Sequence, residues 1–392
     1  MVNNVYRLGT EIKLLVFAAV ILTFFVRPFA LGLDNSLYTN MLLLLVGLIV
    51  ALSTPGTLYN GKKIFILIFS IYLSYSLYKF ITSGNVVSFL TLLQVISVYI
   101  LFRNYQVMQL FFKYLKNVFL LLIVLGIINF GLECLKNGPD SLLMIRDIPY
   151  GKGVYEFSLF FPLTWSKALW YIPGSSIISG VHQRQYFFFI EPGMAPTFFI
   201  ASLYLLWNDE KEKYKILQTI IFIIGILITF STSGPLILIF SLSIWYFFKR
   251  NEKKFSPVSL AFFVVGIYFS WYAFNYMPVF GRQAKVELSA SMAASVETHE
   301  AILHSAIMVG VALLGLYGYF AMKYKQNKVL TIVITSIIAL GYISNYVGYT
   351  TLATMFLFWD KTQKRTLEDK NGKFNSKMNR YHNNVNICSL RH

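Results

Sequence analysis

Long apolar runs, separated by short polar breaks, follow one another along almost the whole chain of 392 residues. Charged residues make up only 13% of the sequence, about half their share in an average soluble protein. A helix needs about 20 apolar residues to cross the hydrocarbon layer of a bilayer. The sequence therefore predicts an all-α, polytopic membrane protein with about twelve spans, at residues 14–33, 38–53, 64–81, 86–102, 118–135, 186–207, 216–231, 235–248, 257–274, 301–322, 329–344 and 346–359.

The predicted spans form one domain, residues 1–359, without an internal repeat of the kind common in secondary transporters. The remaining residues, 360–392, are polar and rich in Asn and Lys, and we expect a disordered cytoplasmic tail. Cys134 and Cys388 fall on opposite sides of the predicted membrane. Neither a disulfide nor a metal site built from both cysteines is therefore expected.

Lys and Arg residues in the short loops predict the orientation, because positively charged loops stay in the cytoplasm. With a cytoplasmic N-terminus, the basic loops 61–63, 103–117, 208–215, 249–254 and 323–328 all lie on the same side as the tail. The whole formal net charge of +17 then lies in the cytoplasm. We interpret this charge as a determinant of orientation and of contact with anionic lipid, not as a sign of nucleic-acid binding.

Two predicted external loops, near 136–185 and 275–300, are longer than the others, so we expect the functional surface outside the cell membrane. The first loop is rich in aromatic residues. One interpretation is an amphipathic helix whose rings lie in the headgroup layer. The other is a wall of rings for the faces of sugars, with Trp165, Trp170 and Tyr171 as candidates for stacking. One helix can serve both purposes.

The segment "HQRQYFFFIEPGMAP" at 182–196 places charged and helix-breaking residues at the outer boundary of the sixth predicted span. On a regular helix, Arg184 and Glu191 would lie about 10 Å apart on nearly the same face. Pro192 and Pro196 interrupt a helix, and such a break at membrane depth is tolerated only where it faces protein or a water-filled cavity. An ionisable residue within a span is a functional-site hypothesis, although Glu191 can also pack against a neighbouring helix in a protonated or paired state.

Three more residues of the outer face are candidates for chemistry. Arg282 begins the second long loop, where an arginine binds either a substrate phosphate or a lipid headgroup. His299 and Glu300 lie at the threshold of the tenth predicted span, where a histidine suits proton transfer or a structural role. Two guanidinium groups, a candidate base and aromatic walls fit a site for a lipid-linked diphosphate, because guanidinium groups bind phosphate oxygens bidentately.

These motifs resemble those of the bacterial O-antigen polymerase and O-antigen ligase superfamily. The resemblance is carried by residues in three regions of the chain: Arg184, Phe189, Glu191, Pro192 and Gly193; the turn "STSG" at 231–234; and His299, Gly310 and Gly315. Taken by itself, the STSG turn needs no explanation beyond a tight connection between two spans. The resemblance covers the architecture of most of the chain, while its specific motifs occupy a few short segments.

The resemblance implies an inverting, metal-independent membrane glycosyltransferase without a cofactor, at the outer face of the bacterial cytoplasmic (inner) membrane. Its substrates would be undecaprenyl-diphosphate-linked oligosaccharides, both as donor and as acceptor. A polymerase of O-antigen or capsular polysaccharide would transfer the growing chain onto the next lipid-linked repeat unit. By the same resemblance, Arg184 and Arg282, with Arg27 as a further candidate, would hold the diphosphate and stabilise the charge that develops as it leaves.

The resemblance also implies roles for three residues in proton transfer and orientation. His299 would take the proton from the acceptor hydroxyl, and Glu191 would orient the acceptor sugar or the surroundings of Arg184. Glu300 stands where the family pattern leads us to expect asparagine. Glu300 is therefore a second candidate for the base.

Three alternatives remain open on the sequence alone. A ligase would use the same chemistry to move finished glycan from the carrier to another acceptor. A flippase or transporter would carry the lipid-linked sugar without reacting it, and a scaffold would organise an assembly complex. For a polymerase we expect a flippase and a chain-length regulator as possible partners, and no nucleic acid.

Overall fold

A computed structural model describes most of the predicted spans and part of the segment predicted as the first external loop. The described residues are 8–26, 37–54, 61–84, 86–135, 144–147, 155–158, 160, 163–164, 166–168, 183–185, 187–189, 193–209, 212–251, 256–276, 309–319, 328–344 and 351–359. The predicted tail at 360–392 and nearly all of the predicted second loop lie outside them.

Helices dominate the described residues, which confirms the predominantly helical architecture. They are α1 Thr10–Thr23, α2 Leu37–Ser53, α3 Gly61–Ser83, α4 Leu90–Leu101, α5 Tyr105–Leu135, α6 Ala195–Asn208, α7 Lys215–Ile228, α8 Ser233–Arg250, α9 Pro257–Tyr276, α10 309–319, α11 Lys328–Ser344 and α12 Met355–Phe358. Short 3₁₀ turns at Val86–Phe89 and Thr351–Thr354 precede α4 and α12, and the centre of α10, Leu313–Tyr317, is a π-helix.

Among the residues that the structure describes, two helices are long and apolar enough to cross a membrane by length and composition. The qualifying stretches are Lys62–Thr82 in α3 and Tyr105–Leu132 in α5. Helix α5 has 31 residues and is thus about 46 Å long, which exceeds the hydrocarbon thickness of about 30 Å. These two helices are compatible with a membrane protein.

Helix α5 also corrects the prediction of a cytoplasmic loop at 103–117, because the helix already begins at Tyr105. This part of the helix buries apolar residues at intervals of three and four positions: Met108, Phe111, Phe112 and Leu115. Such spacing forms one apolar face of a helix. The basic residues on the other positions interrupt the apolar run without interrupting the helix.

The segment predicted as the first external loop contains a four-stranded antiparallel sheet in the order β1-β2-β3-β4. Its strands are β1 Met144–Asp147, β2 Tyr155–Ser158, β3 Ser166–Ala168 and β4 Gln183–Gln185. The all-α prediction is therefore wrong for this loop, and so is the amphipathic helix where the strands lie. A period-two alternation at 155–158, with Tyr and Phe separated by Glu and Ser, is the local signal for β2.

The predicted sixth span begins too early. Gln183–Gln185 is a strand, Phe187 and Phe188 form a turn, and α6 begins only at Ala195. The prediction that Arg184 and Glu191 share one face of a regular helix is therefore wrong, and Glu191 itself lies outside the described residues. Aromatic residues favour extended backbone, and Pro192 with Gly193 disfavours a helix that continues through the segment.

Helix α6 lies at the centre of the helical assembly, between α7, α8 and α11. Helix α5 packs against α1 and α7, α4 packs against α2 and α3, and α9 packs against α8. A cluster of aromatic rings joins these groups around Phe119 of α5. Its ring centroid lies 6.0 Å from that of Phe24, 6.2 Å from that of Phe198 and 5.7 Å from that of Phe199.

Candidate functional site

The site is built around the first residues of α6, which follow the Pro192–Gly193 pair. Gly193 and Met194 form a turn, and Pro196 occupies the first turn of the helix. Proline is tolerated there because the first N–H groups of a helix have no acceptor within it. Every residue from Ala195 to Tyr204 is buried. The chain therefore enters the protein core directly after the Pro-Gly segment.

The STSG turn meets this segment at Gly193. Ser233 donates a hydrogen bond from Oγ to the carbonyl oxygen of Gly193 at 2.8 Å. The Oγ atoms of Ser231 and Ser233 lie 2.7 Å apart, and Ser231 is the donor because the Ser233 proton is directed at Gly193. Two motifs 40 positions apart in the sequence are thereby joined by a chain of buried hydroxyl groups.

Two backbone features allow the STSG turn to come so close. Phe230 has a φ of 44°, a left-handed conformation that turns the chain sharply after α7. Gly234 lies against the start of α6, where an added Cβ would stand 3.5 Å from Cγ of Pro196 and 3.2 Å from Cγ2 of Ile226. The prediction of a tight turn at 230–236 is thus confirmed, because it connects α7 to α8, and this turn also contacts Gly193.

The last residue of β4 and the residues that follow it anchor the sheet to the helices. Asn129 of α5 donates a hydrogen bond from Nδ2 to Oε1 of Gln185 at 3.4 Å, and both side chains are buried. Phe187 adopts a φ of 51° and packs its ring against Gly126. A Cβ at Gly126 would lie 2.4 Å from the Phe187 ring, so only glycine fits this close approach.

The next two phenylalanines continue the anchor. The Phe188 ring lies 5.0 Å from that of Phe24 in an edge-on contact, and the Phe189 ring lies 5.3 Å from that of Phe198. Aromatic pairs at such separations stabilise a core beyond the area that they bury. The segment between β4 and α6 is therefore fixed at both ends, which sets the position of Arg184 relative to Gly193.

Arg184 lies in β4, directly opposite Lys167 of β3. It is the only predicted site residue within the described part of the chain. The other eight lie outside that part: Arg27, Trp165, Trp170, Tyr171, Glu191, Arg282, His299 and Glu300. Whether they join Arg184 in one site is still a prediction.

Sequence reasoning did not identify three parts of this site: the basic residue opposite Arg184, the buried amide pair Asn129–Gln185, and the serine contact to Gly193. The sheet that holds the first has one local signal, the alternating pattern of β2, but this pattern does not identify Lys167 of β3. The other two depend on contacts between distant parts of the chain. Within the described ranges, no three His, Cys, Asp or Glu side chains are grouped so that they could hold a metal ion.

Comparison with known proteins identified no relative of this chain. No protein-family model matches this chain, and no curated protein or solved structure matches it either.

Proposed function

We propose that the protein is a repeat-unit polymerase of O-antigen or capsular polysaccharide. It transfers an undecaprenyl-diphosphate-linked glycan onto the next lipid-linked repeat unit. The observation that carries this proposal is the hydrogen bond from Ser233 to the carbonyl oxygen of Gly193. It joins two of the three motif regions on which the family resemblance rests, and Gly193 follows Arg184 by nine positions in the sequence.

The proposed reaction breaks one bond and forms one. The acceptor hydroxyl oxygen attacks the anomeric carbon of the donor sugar from the side opposite the diphosphate, so that the configuration inverts. The bond between that carbon and the diphosphate oxygen breaks, and undecaprenyl diphosphate leaves with the electron pair. His299 or Glu300 accepts the proton of the attacking hydroxyl.

In this proposal, the arginines Arg184, Arg282 and Arg27 bind the diphosphate and stabilise the negative charge that develops on it. Glu191 orients the acceptor sugar or its surroundings, and Trp165, Trp170 and Tyr171 stack against sugar rings. The reaction needs no metal and no cofactor. The roles of all these residues, Arg184 included, rest on the family resemblance.

The proposal places the protein in the bacterial cytoplasmic membrane with both termini in the cytoplasm and the site outside. The two apolar helices among the described residues are compatible with a membrane protein. The distribution of Lys and Arg in the sequence is the basis for the proposed orientation. A flippase would supply the lipid-linked repeat units, and a chain-length regulator would act on the product. Both are proposed partners.

A gel of surface polysaccharide from a strain that lacks the gene, beside the complemented strain, tests the proposal. A polymerase predicts that the ladder collapses to a single repeat unit on its final acceptor. Long chains that persist on undecaprenyl diphosphate would instead indicate a ligase. Repeat units that accumulate inside the cell would indicate a flippase, and an unchanged ladder would contradict all three functions.

A further inference from the structure

Four charged residues occupy matched positions on the four strands of the sheet. Arg146 of β1 is paired with Glu156 of β2, Glu156 with Lys167 of β3, and Lys167 with Arg184 of β4. Residues directly opposite each other in an antiparallel sheet lie on the same face. We call these four residues the charged row. At about 4.8 Å per strand, the row is roughly 14 Å long.

The charges in this row are not balanced. Glu156 stands between two cations, Arg146 and Lys167, whereas Arg184 at the end of the row has a second cation directly opposite it. Like charges in directly opposed positions destabilise a sheet. Three cations and one carboxylate give the row a formal charge of +2. An anion bound at the Lys167–Arg184 end would remove this repulsion.

The charged row crosses β4 at Arg184, whose two neighbours in the strand, Gln183 and Gln185, lie on the other face. The buried side chain of Gln185 accepts a hydrogen bond from Asn129 of α5. The sheet is therefore anchored by one face. The other face carries the charged row. In the sequence, Arg184 at the end of this row is followed by Phe187–Phe189 and then by Gly193, which contacts the STSG turn.

We propose that Lys167 is a direct diphosphate-binding residue beside Arg184, and that Glu156 weakens the same interaction by its negative charge. The guanidinium group of Arg184 suits two phosphate oxygens at once, and the ammonium group of Lys167 adds a point charge for the second phosphate. Arg146 is paired with Glu156 on the side of β2 away from Lys167. The identity of the ligand as a polyprenyl diphosphate rests on the proposed function, whereas binding of the anion does not.

Isothermal titration of the full-length protein in detergent tests this inference, with inorganic pyrophosphate and farnesyl diphosphate as probes. Lys167→Ala should weaken binding about tenfold, because a hydrogen bond to a charged group is lost. Lys167→Arg should retain most of the affinity. Glu156→Gln should tighten binding, since it removes the carboxylate that competes with the ligand. The opposite signs separate a charge effect from a damaged sheet, which would weaken binding in both variants.

Two variants serve as controls, one matched to Arg184 by its strand and the other matched to Lys167 by its charge. Gln183→Ala changes β4 on the face opposite the charged row, and Lys79→Ala removes one positive charge from α3, outside the sheet. Both should leave the affinity unchanged. Equal binding by Lys167→Ala and the unchanged protein would overturn the inference, as would weaker binding by Glu156→Gln.

The two probes and a third ligand distinguish the source of the anion. Comparable binding of pyrophosphate and farnesyl diphosphate supports recognition of the diphosphate itself, and preferential binding of farnesyl diphosphate supports a lipid-linked form. Binding only to vesicles of phosphatidylglycerol would overturn the inference in favour of headgroup contact. A protein that binds diphosphate through Lys167 but makes no polymer would keep this inference and reject the proposed function. Polymer formation that needs Arg184 but not Lys167 would do the reverse.

Discussion

Helices α6 and α9 are similarly apolar in sequence but lie in opposite surroundings. In α6 the large side chains are buried, and Phe198, Phe199 and Tyr204 are fully covered by other parts of the protein. In α9 the large side chains are exposed, and Phe262 and Trp271 keep 60% and 50% of their surface accessible. Hydrophobicity alone therefore does not tell which helix forms the core.

The buried face of α9 explains the difference. It consists of small or polar residues, Ser259, Gly266, Ser270 and Ala273, and a Cβ at Gly266 would overlap the side chain of Ser243 in α8. Small residues inside and large apolar residues outside are typical of helices that pack within a lipid bilayer, and water disfavours such an exposed surface. By contrast, α6 is enclosed by protein on all sides and carries the candidate site at its first turn.

The largest effect should come from removing an aromatic ring from α6, whereas the same change in α9 should have little effect. Phe199→Ala should destabilise the protein by about 3–5 kcal/mol, because it leaves a cavity in the aromatic cluster. Phe262→Ala should change the stability by less than about 1 kcal/mol, because detergent or lipid fills the space. Thermal unfolding of the two purified variants in detergent measures both values. Similar losses in stability would mean that α9 is covered by protein and that the contrast is wrong.

Quenching of tryptophan fluorescence provides a second test of the difference between α6 and α9. We expect brominated lipids to quench much of the emission of Trp271 in reconstituted vesicles, since half of its surface is exposed on the apolar face of α9. Trp207 of α6, whose Nε1 donates a hydrogen bond to Thr219, is largely covered and should be quenched less. Variants that retain one of these two tryptophans and no other allow the comparison. Equal quenching of both would contradict a lipid-facing α9.

A smaller effect is expected at the serine that ties the two motifs together. Ser233→Ala should lower the stability by about 0.5–1.5 kcal/mol, because Gly193 loses the hydrogen bond from Oγ. It should also shorten the polysaccharide ladder, since the start of α6 loses a positioning contact. Ser243→Ala in the same helix is the matched control, because its hydroxyl donates only to the carbonyl oxygen of Ile239 one turn earlier. Equal ladders from the two variants would exclude a positioning role for Ser233.

The smallest effect concerns the ion pair between Lys116 of α5 and Glu212 before α7. The hydrogen bond from Lys116 lowers the pKa of Glu212, and a hydrogen bond from Gln218 acts in the same direction. Because the pKa is lower in the folded state, the stabilisation is complete above the ordinary pKa of a glutamate and is lost as the pH falls through the folded value. Lys116→Met should cost less than about 1 kcal/mol at neutral pH.

Melting temperatures in detergent at neutral and acidic pH measure this contribution. The difference between the unchanged protein and Lys116→Met should shrink as Glu212 becomes protonated. Lys62→Met, at an exposed position near the start of α3, should show no such pH dependence. A difference that grows at acidic pH would contradict the ion pair.

The helices could be predicted because their signal is local. Runs of apolar residues long enough to form a span identified α3, α8, α9 and α11 within a few residues of their observed bounds. The four-stranded sheet was missed because its strands are only three or four residues long, and strand pairing depends on partners elsewhere in the chain. The alternation at 155–158 was the one local trace of it.

The candidate site could be predicted only in part for the same reason. Arg184 stood out as a charge beside an apolar segment, but a helical spacing was the wrong geometry for it. Its cross-strand partner Lys167 and the contact between Ser233 and Gly193 depend on the tertiary fold. The left-handed conformation of Phe187, which a bulky residue rarely adopts, has no signature in the sequence.

The central claim is that Arg184 serves a polysaccharide polymerase, and one pair of neighbouring variants tests it most directly. Arg184→Ala and Gln183→Ala change adjacent residues that lie on opposite faces of β4. In the deletion strain, with equal amounts of each variant in the membrane fraction, we predict a full ladder from Gln183→Ala. Arg184→Ala should give only the single repeat unit. A normal ladder from Arg184→Ala would contradict the account.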